Sequence, residues 1–426
     1  MKIDEITARL RASTLARNAG WLLMGQGIGI VFQALNFVLL ARLVGSREYG
    51  VYVGAFAFTS LFAPYSSIGM GSVFLRYVSG RPSEYARYFG NILVVSFVLS
   101  SMVTAALTVA AYHFLNPESA RLVVYAAIGN CLFAQLALDV GRVFQTFEKM
   151  RVTATTNLVV NGLRTLAVAA MLLSIHHASA LQWSIVSMLV SGIGAVSVVS
   201  LAIKNFGMPK VEFSLIRQRA VEGFGFSFAQ STSSVYNDVD KSMLSHYGMN
   251  QANGVYSMAY RVIDMASIPI YALRDASLPR FFEHGRKSVA HSADYGKRFL
   301  LRSIGLGAVT CVALFLLAPL LPMLAGKGFA QSMLALRWLA IIPVFRAIHQ
   351  MQGSVLTSSG HQPLRTTAQL IAAGVNVVLN FLLIPRFNWW GAAWASIATD
   401  GLLAISTFAL VSIVSERSRQ KQLTNA

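Results

Sequence analysis

Charge is what this sequence lacks most. Charged residues fill only 12% of its 426 positions, about half the share of a typical soluble domain. So few charges cannot cover a water-facing surface, whereas a lipid-facing surface needs none. Acidic residues are the scarcer sign, with 17 Asp and Glu against 35 Lys and Arg. Cysteine is nearly absent. Cys131 and Cys311 both sit in apolar runs without metal-like spacing, so neither a disulfide framework nor a metal site is expected. No P-loop pattern occurs, which excludes an ATPase of that type within the chain, and no cofactor is expected. No cleavable signal peptide is expected either. The first 17 residues are polar and basic (Arg9, Arg11, Arg17), and the apolar run after them is too long for a signal core. They read as a short interfacial helix.

What is present is hydrophobicity: 55% of residues are hydrophobic and the mean hydropathy is +0.56. A spanning helix needs roughly 20 predominantly apolar residues. Twelve stretches qualify, near 18–41, 49–75, 88–114, 119–141, 152–175, 178–203, 222–247, 254–280, 299–324, 329–357, 364–385 and 389–415. Lipid offers the backbone no partner, so each must be helical, and none alternates as a barrel strand would. The fold class expected is an all-α integral membrane protein with about twelve transmembrane helices. Its organisation reads as an N-terminal segment 1–17, a first six-helix bundle 18–203, a linker 204–221, a second bundle 222–415 and a tail 416–426.

The net charge of +18 would suggest nucleic acid in a soluble protein. Here the basic residues cluster in short segments between apolar runs, which suits membrane lipids and orients helices. With the N-terminus inside, the inner segments hold 24 Lys and Arg, and the outer loops hold five: Arg42, Arg47, Arg121, Lys327 and Arg386. That asymmetry places both termini in the cytoplasm. The outer loops are only a few residues long and leave no room for an outer domain.

The second half echoes the first. Gly50-Val51-Tyr52 opens the second span and Gly254-Val255-Tyr256 the eighth. Arg76 and Arg280 close the same two spans at the same offset, Pro64 and Pro269 fall at nearly matching places, and Gly45 and Gly248 mark the preceding turns. Six spans per half give both halves one orientation, the parallel type of repeat.

Two stretches resemble a known family. One runs Leu40-Ala41-Arg42-Leu43-Val44-Gly45, Tyr49-Gly50-Val51-Tyr52 and Ile68-Gly69-Met70-Gly71. The other is Gly360-His361 through Asn380, Ile384-Pro385-Arg386 and Gly391-Ala392-Ala393-Trp394-Ala395. Both are similar to the polysaccharide transporter family of the multidrug/oligosaccharidyl-lipid/polysaccharide flippase superfamily, which holds the O-antigen and exopolysaccharide repeat-unit flippases. The resemblance implies two six-helix bundles around a central cavity, alternating access, and a polyprenyl-pyrophosphate-linked oligosaccharide moved to the outer leaflet of a bacterial inner membrane. A polysaccharide polymerase and chain-length proteins are the candidate partners, and nucleic acid is not one.

Ionisable residues inside the spans point the same way. A charge at membrane depth is costly and faces a cavity or a partner. Eleven stand out: Arg164, Lys241, Arg261, Arg274, Arg337, Arg346, Asp238, Asp240, Asp264, Asp275 and Asp400, of which seven fall in spans seven and eight. Arg164, Arg261, Arg346 and Lys241 are candidates for holding a pyrophosphate, because a guanidinium stays charged and donates two hydrogen bonds to phosphate. Asp264, Asp400 and Asp238 are candidates for ion coupling. Asp240, and Arg274 beside Asp275, read as structural ion pairs. The first six spans show no mid-span carboxylate, which favours an anionic cargo over the cationic drugs of multidrug exporters in the same superfamily. A membrane-embedded glycan polymerase or ligase would need catalytic groups on a sizeable outer loop, so no enzyme is expected.

Other patterns carry less. Gly25, Gly27 and Gly29 suit close helix packing rather than a dinucleotide loop. Phe144, Phe147, Trp389 and Trp390 stand near span ends as interface anchors. His176-His177 reads as a loop pair without metal.

Overall fold

The structure is a computed structural model. It describes the backbone of residues 2–175 and 177–424, and the side chains of 27–420 apart from His176, Ser233 and Lys287. The side chains of the expected interfacial helix 1–17, Gly25 and His176 lie outside the described residues. All described regular structure is helical, and the chain divides into two compact units, Met1–Asp238 and Val239–Ala426.

The first unit holds α1 (Lys2–Ser60), α2 (Met70–Val78), α3 (Tyr85–Phe114), α4 (Pro117–Ala120), α5 (Val123–Ala127), α6 (Gln135–Thr146), α7 (Met150–Ile175) and α8 (Ala180–Phe206). It also holds most of α9 (Phe213–His246), within which the boundary falls. The second unit holds α10 (Asn250–Ala266), α11 (Ile268–Lys287), α12 (Val289–Leu317), α13 (Leu320–Ala325), α14 (Ala330–Leu339), α15 (Ile342–Ser358), α16 (Gln362–Phe387) and α17 (Trp389–Thr424). Local chemistry sets many ends. Asn116 caps α4 by accepting from two backbone N–H groups, and Ser179 and Gln182 form a reciprocal capping box on α8.

Eight described helices are long and apolar enough to cross a membrane, nine if the pair Lys327–Leu339 and Ile342–Ser358, bent by 44°, is one span. The expected spans outside that count are the second, seventh and eighth. The second is broken between α1 and α2, and the seventh and eighth carry the ionisable residues. Large apolar side chains face outward, among them Leu173 at 81% and Leu301 at 73% exposure, as a lipid-facing surface requires.

The repeat landmarks have matching conformations in the two units. Gly45 and Gly248 both adopt left-handed φ, 75° and 71°, where a side chain would be strained. Pro64 and Pro269 each stand in the first turn of a new helical segment just after a break. The missing N–H of proline is harmless there. These prolines start helices rather than kink them.

Close approach explains other glycines. A Cβ on Gly71 would collide with the Asp139 side chain, one on Gly223 with the Ile68 carbonyl, and one on Gly69 with the Gly223 carbonyl. The Ile68–Gly71 stretch is therefore where α6 and α9 pack against the break before α2. Ser227 and Ser231 of α9 donate to the Pro64 and Leu61 carbonyls at 2.7 and 2.9 Å. These bonds fill carbonyls freed where the helix stops, inside lipid where water cannot. Among the discounted glycines, a Cβ on Gly29 would meet Asn161 at 3.9 Å, whereas Gly27 has open space.

Two of the expected interface anchors are core residues instead. Phe144 is fully buried beside Phe74, Tyr85 and Phe89, and Phe147 stacks on Phe206 at 4.4 Å. Cys131 is equally buried among Ala55, Leu107 and Ala127 and acts as a small hydrophobe. In the second unit Phe281, Met351, Val355 and Leu356 form a comparable core.

Residues 207–212 join α8 to α9 and are clasped to the start of α3. Lys210 N–H donates to the Ala86 carbonyl at 2.8 Å. Asn91 exchanges two hydrogen bonds with the Glu212 backbone, 3.0 and 2.9 Å. The Arg87 guanidinium forks onto the Glu212 carboxylate, with Nη2 at 2.6 Å, and holds that carboxyl below its ordinary pKa. The clasp needs Gly90, because any Cβ there would strike the Lys210 backbone. Gly90→Ala is expected to lower the thermal midpoint in detergent, by the equivalent of about 1–3 kcal/mol. Gly305→Ala, into open space, should leave it unchanged. Equal midpoints by scanning fluorimetry would show that the linker is not held this way.

Candidate functional site

Two membrane-embedded polar sites stand out, one in each unit. In the second unit the helical period arranges the side chains. Tyr256, Tyr260 and Asp264 follow one another at four-residue spacing along α10, as do Ser396 and Asp400 on α17 and Asn376 and Asn380 on α16. Residues so spaced share a face, and all of these except Asp264 are buried.

The network begins at Asp240, which is 1% exposed. It accepts from the Tyr256 hydroxyl and from Ser396 Oγ at 3.4 Å, and it lies 3.5 Å from Lys241 Nζ. Lys241 Nζ sits 4.5 Å above the Tyr260 ring, a cation–π contact that suits a buried ammonium. Arg346, itself 3% exposed, donates to the Tyr260 hydroxyl at 3.1 Å, to Asp264 at 2.9 Å and to Ser267 at 3.3 Å. His349, one turn further along α15, stands 3.5 Å from the buried Asp400 carboxylate. Asn376 bonds Thr399 at 3.1 Å and receives Asn380 at 2.9 Å. The result is a nearly dry network of charges and hydroxyls in which guanidinium, ammonium and imidazole each meet an oxygen or an aromatic face.

The first unit offers a different arrangement. Arg164 lies on α7, roughly 16 Å from the nearer helix end and so at membrane mid-depth. Its Nη2 donates to Ser191 Oγ on α8 at 2.6 Å, and its Nε is buried with no hydrogen bond. It lines a cavity of about 220 Å³ between α6, α7 and α8, together with Thr153, Thr156, Asn157, Asn161 and Ser191. Arg164 is the only ionisable residue in that lining. A guanidinium without a carboxylate, ringed by amides and hydroxyls, is electrostatically suited to an anion.

The remaining expected residues distribute as follows. Asp238 belongs to the first unit and accepts from Ser60 Oγ at 2.8 Å. Arg261 is half-buried on α10 and engaged in contacts of its own. Arg274 pairs with Asp275 at 2.8 Å and donates to Gln350 at 2.6 Å. Arg337 lies over the Phe315 ring at 5.1 Å. Asp264 finds its cation on α15, and Arg346 is buried among protein partners.

The expectation that the first six spans hold no mid-span carboxylate does not allow for Asp139. The fourth span extends to Thr146, which leaves Asp139 about 10 Å inside it and fully buried. Arg142 neutralises it at 2.8 Å, and Gln135 lies 3.5 Å away. Asp139 is not part of the Arg164 cavity lining. The four-residue spacing of Gln135 and Asp139, with Arg142 one turn on, was the available signal. The spacing of Tyr256, Tyr260 and Asp264 was the corresponding signal for the two tyrosines.

A family model described as polysaccharide biosynthesis protein matches residues 15–284, well over half of the chain. The chain belongs to this family. Among family relatives, the probable low-salt glycan biosynthesis flippase Agl15 of Haloferax volcanii is 23% identical over 416 residues, covering 92% of this chain and 82% of its own. An uncharacterized membrane protein of Methanocaldococcus jannaschii is 20% identical over 423 residues, covering 94% and 99%. The fold is like that of solved multidrug transporters. An inward-facing MATE family transporter of the MOP superfamily superposes with a TM-score of 0.72 at 12% identity, covering 92% of this chain and 96% of that one. A MOP superfamily transporter from Pyrococcus furiosus gives 0.61 at 12% identity, with 94% and 96% covered. The protein is thus a multi-pass membrane protein of a polysaccharide biosynthesis family, with a fold of about twelve transmembrane helices like that of solved transporters.

The pairing of Arg346 with Asp264 can be tested directly. Asp264→Asn removes the carboxylate paired directly with the buried Arg346. Breaking such pairs costs about 3–5 kcal/mol in soluble proteins, and the half-exposed carboxylate here puts the expected loss below that range. The thermal midpoint should fall more for Asp264→Asn than for Asp275→Asn, whose carboxylate is 61% exposed. An equal fall in both would mean that Arg346 does not depend on Asp264.

Proposed function

We propose that the protein is a secondary transporter that flips a polyprenyl-pyrophosphate-linked oligosaccharide, of the O-antigen or exopolysaccharide repeat-unit type, to the outer leaflet of a bacterial inner membrane. The observation that carries this reading is the Arg164 cavity. A mid-depth guanidinium with an unused donor and no carboxylate in its lining is costly unless something anionic visits it. A pyrophosphate fits, because the planar fork can take two of its oxygens at once. The family and the relative named as a glycan flippase supply the saccharide. A cationic drug would require a carboxylate in the lining, and the buried Asp139 of this unit is already tied to Arg142.

In this account Arg164 holds the pyrophosphate while the prenyl tail stays in lipid and the glycan follows through a wet interior. Binding and release alternate as the protein opens to either side of the membrane. Arg261 and Lys241 are secondary phosphate candidates, and Arg346 organises the second-unit network. Asp400 beside His349, with Asp264 and Asp238, remain the groups proposed to couple ion flow. Both termini are proposed to be cytoplasmic.

The test is export of lipid-linked glycan by cells that carry normally inserted variants. Arg164→Ala should lose most export, and Arg164→Lys, which keeps the charge but not the fork, should retain part. Wild-type export by Arg164→Ala at unchanged protein level would remove this residue from the mechanism.

A further inference from the structure

A third polar pocket lies at one end of the second unit, away from the charged network. It encloses about 420 Å³ and is lined by Gln251, Ala252, Gln331, Leu334, Asn388, Trp389 and Trp390. That volume is within the range of small-molecule sites. None of the seven residues is ionisable, so the pocket has no preference for an ion of either sign. It offers indole rings and primary amides.

The aromatic part is built rather than incidental. Trp389 and Trp390 stack at 4.3 Å, Trp338 meets Trp390 edge-on at 5.5 Å, and Trp394 approaches Trp390 at 6.2 Å. Four of the six tryptophans in the chain therefore gather at this spot. Interface anchoring, the expectation for Trp389, does not describe it: the ring is 4% exposed, and its Nε1–H donates to Gln331 Oε1 at 3.2 Å. Trp390 is half-buried in the pocket wall.

The amides are poised for hydroxyls. Gln331 uses its oxygen on the Trp389 indole, and Asn388 uses its oxygen on the Trp389 backbone N–H at 2.8 Å. Each keeps an NH₂ group with two donors. Gln251 is exposed. A ring with apolar C–H faces and a rim of hydroxyls matches this surface, the faces on indole and the hydroxyls on amides. That is the chemistry of a neutral sugar.

We propose that this pocket is a saccharide-binding subsite. It takes one or two uncharged sugar residues of the cargo, at the end of the second unit that the charge asymmetry assigns to the outer face. The proposal rests on the glycan-flippase reading for the identity of the sugar. Separating pyrophosphate and sugar sites would let the glycan be held at the exit after the phosphate has been released.

The probe is the water-soluble oligosaccharide released by mild acid from the lipid-linked saccharides of the native host. It is added to the full-length protein in nanodiscs, because maltoside detergents would compete. Tryptophan fluorescence should change saturably. Trp390→Ala and Gln251→Ala, both checked for wild-type elution and melting, should each weaken the affinity about tenfold. Arg164→Ala should bind the sugar as the wild type does. The absence of a saturable change in the wild type, or unchanged affinity in both pocket variants, overturns the proposal. So does an equal change with polyprenyl phosphate that carries no sugar, which would make the pocket a lipid site. Normal export of lipid-linked glycan by cells that lack the protein would defeat the flippase reading while sugar binding by this pocket stood.

Discussion

A polar group inside lipid has no water to fall back on, and this one constraint organises the protein. Every break in a helix and every charge within the spans needs a partner supplied by the chain. The break between α1 and α2 is closed by serines from α9 that donate to its carbonyls. The carboxylate of Asp139 is closed by Arg142, and the charges of α9, α10, α15 and α17 by one another and by two tyrosines. Glycines mark where partners must come close, since Gly71 and Gly223 have no Cβ to obstruct them. Arg164 stands apart by its setting, because its buried Nε has no hydrogen bond and its cavity lining holds no carboxylate.

The constraint also explains what could be read from the sequence. Spans and repeat landmarks were legible because lipid demands long apolar runs and because left-handed turns favour glycine; Gly45 and Gly248 have the conformations their shared position implies. The family was legible from the glycine-rich stretches, for which close packing now gives a physical reason. Span seven was harder, since most of α9 packs with the first unit and hydropathy does not report which side of a helix has which neighbour.

The sites were less legible than the fold. Ionisable residues announce themselves by depth, so Arg164, Asp240, Arg346 and Asp400 could be singled out, but their partners could not. Asp264 meets an arginine some 80 positions away in sequence. Tyr256, Tyr260 and His349 were overlooked because hydroxyls and imidazole do not stand out in an apolar run as charges do. Asp139 lies two residues from the expected span end at 141, and only the extension of the helix to Thr146 shows its depth. Trp389 and Phe144 were taken for anchors because an aromatic near a span end is usually one, and only packing shows that these rings face inward.

The two units thus use buried polarity differently. The second unit ties its charges into a network that can stabilise the bundle. The first keeps one cation available in a small cavity. The central claim is that this cation is reserved for an anionic lipid headgroup. It is tested most directly by native mass spectrometry of the purified protein with sugar-free polyprenyl pyrophosphate. The account predicts a bound adduct on the wild type that is strongly reduced in Arg164→Ala and intermediate in Arg164→Lys. Equal adducts on all three proteins would contradict it.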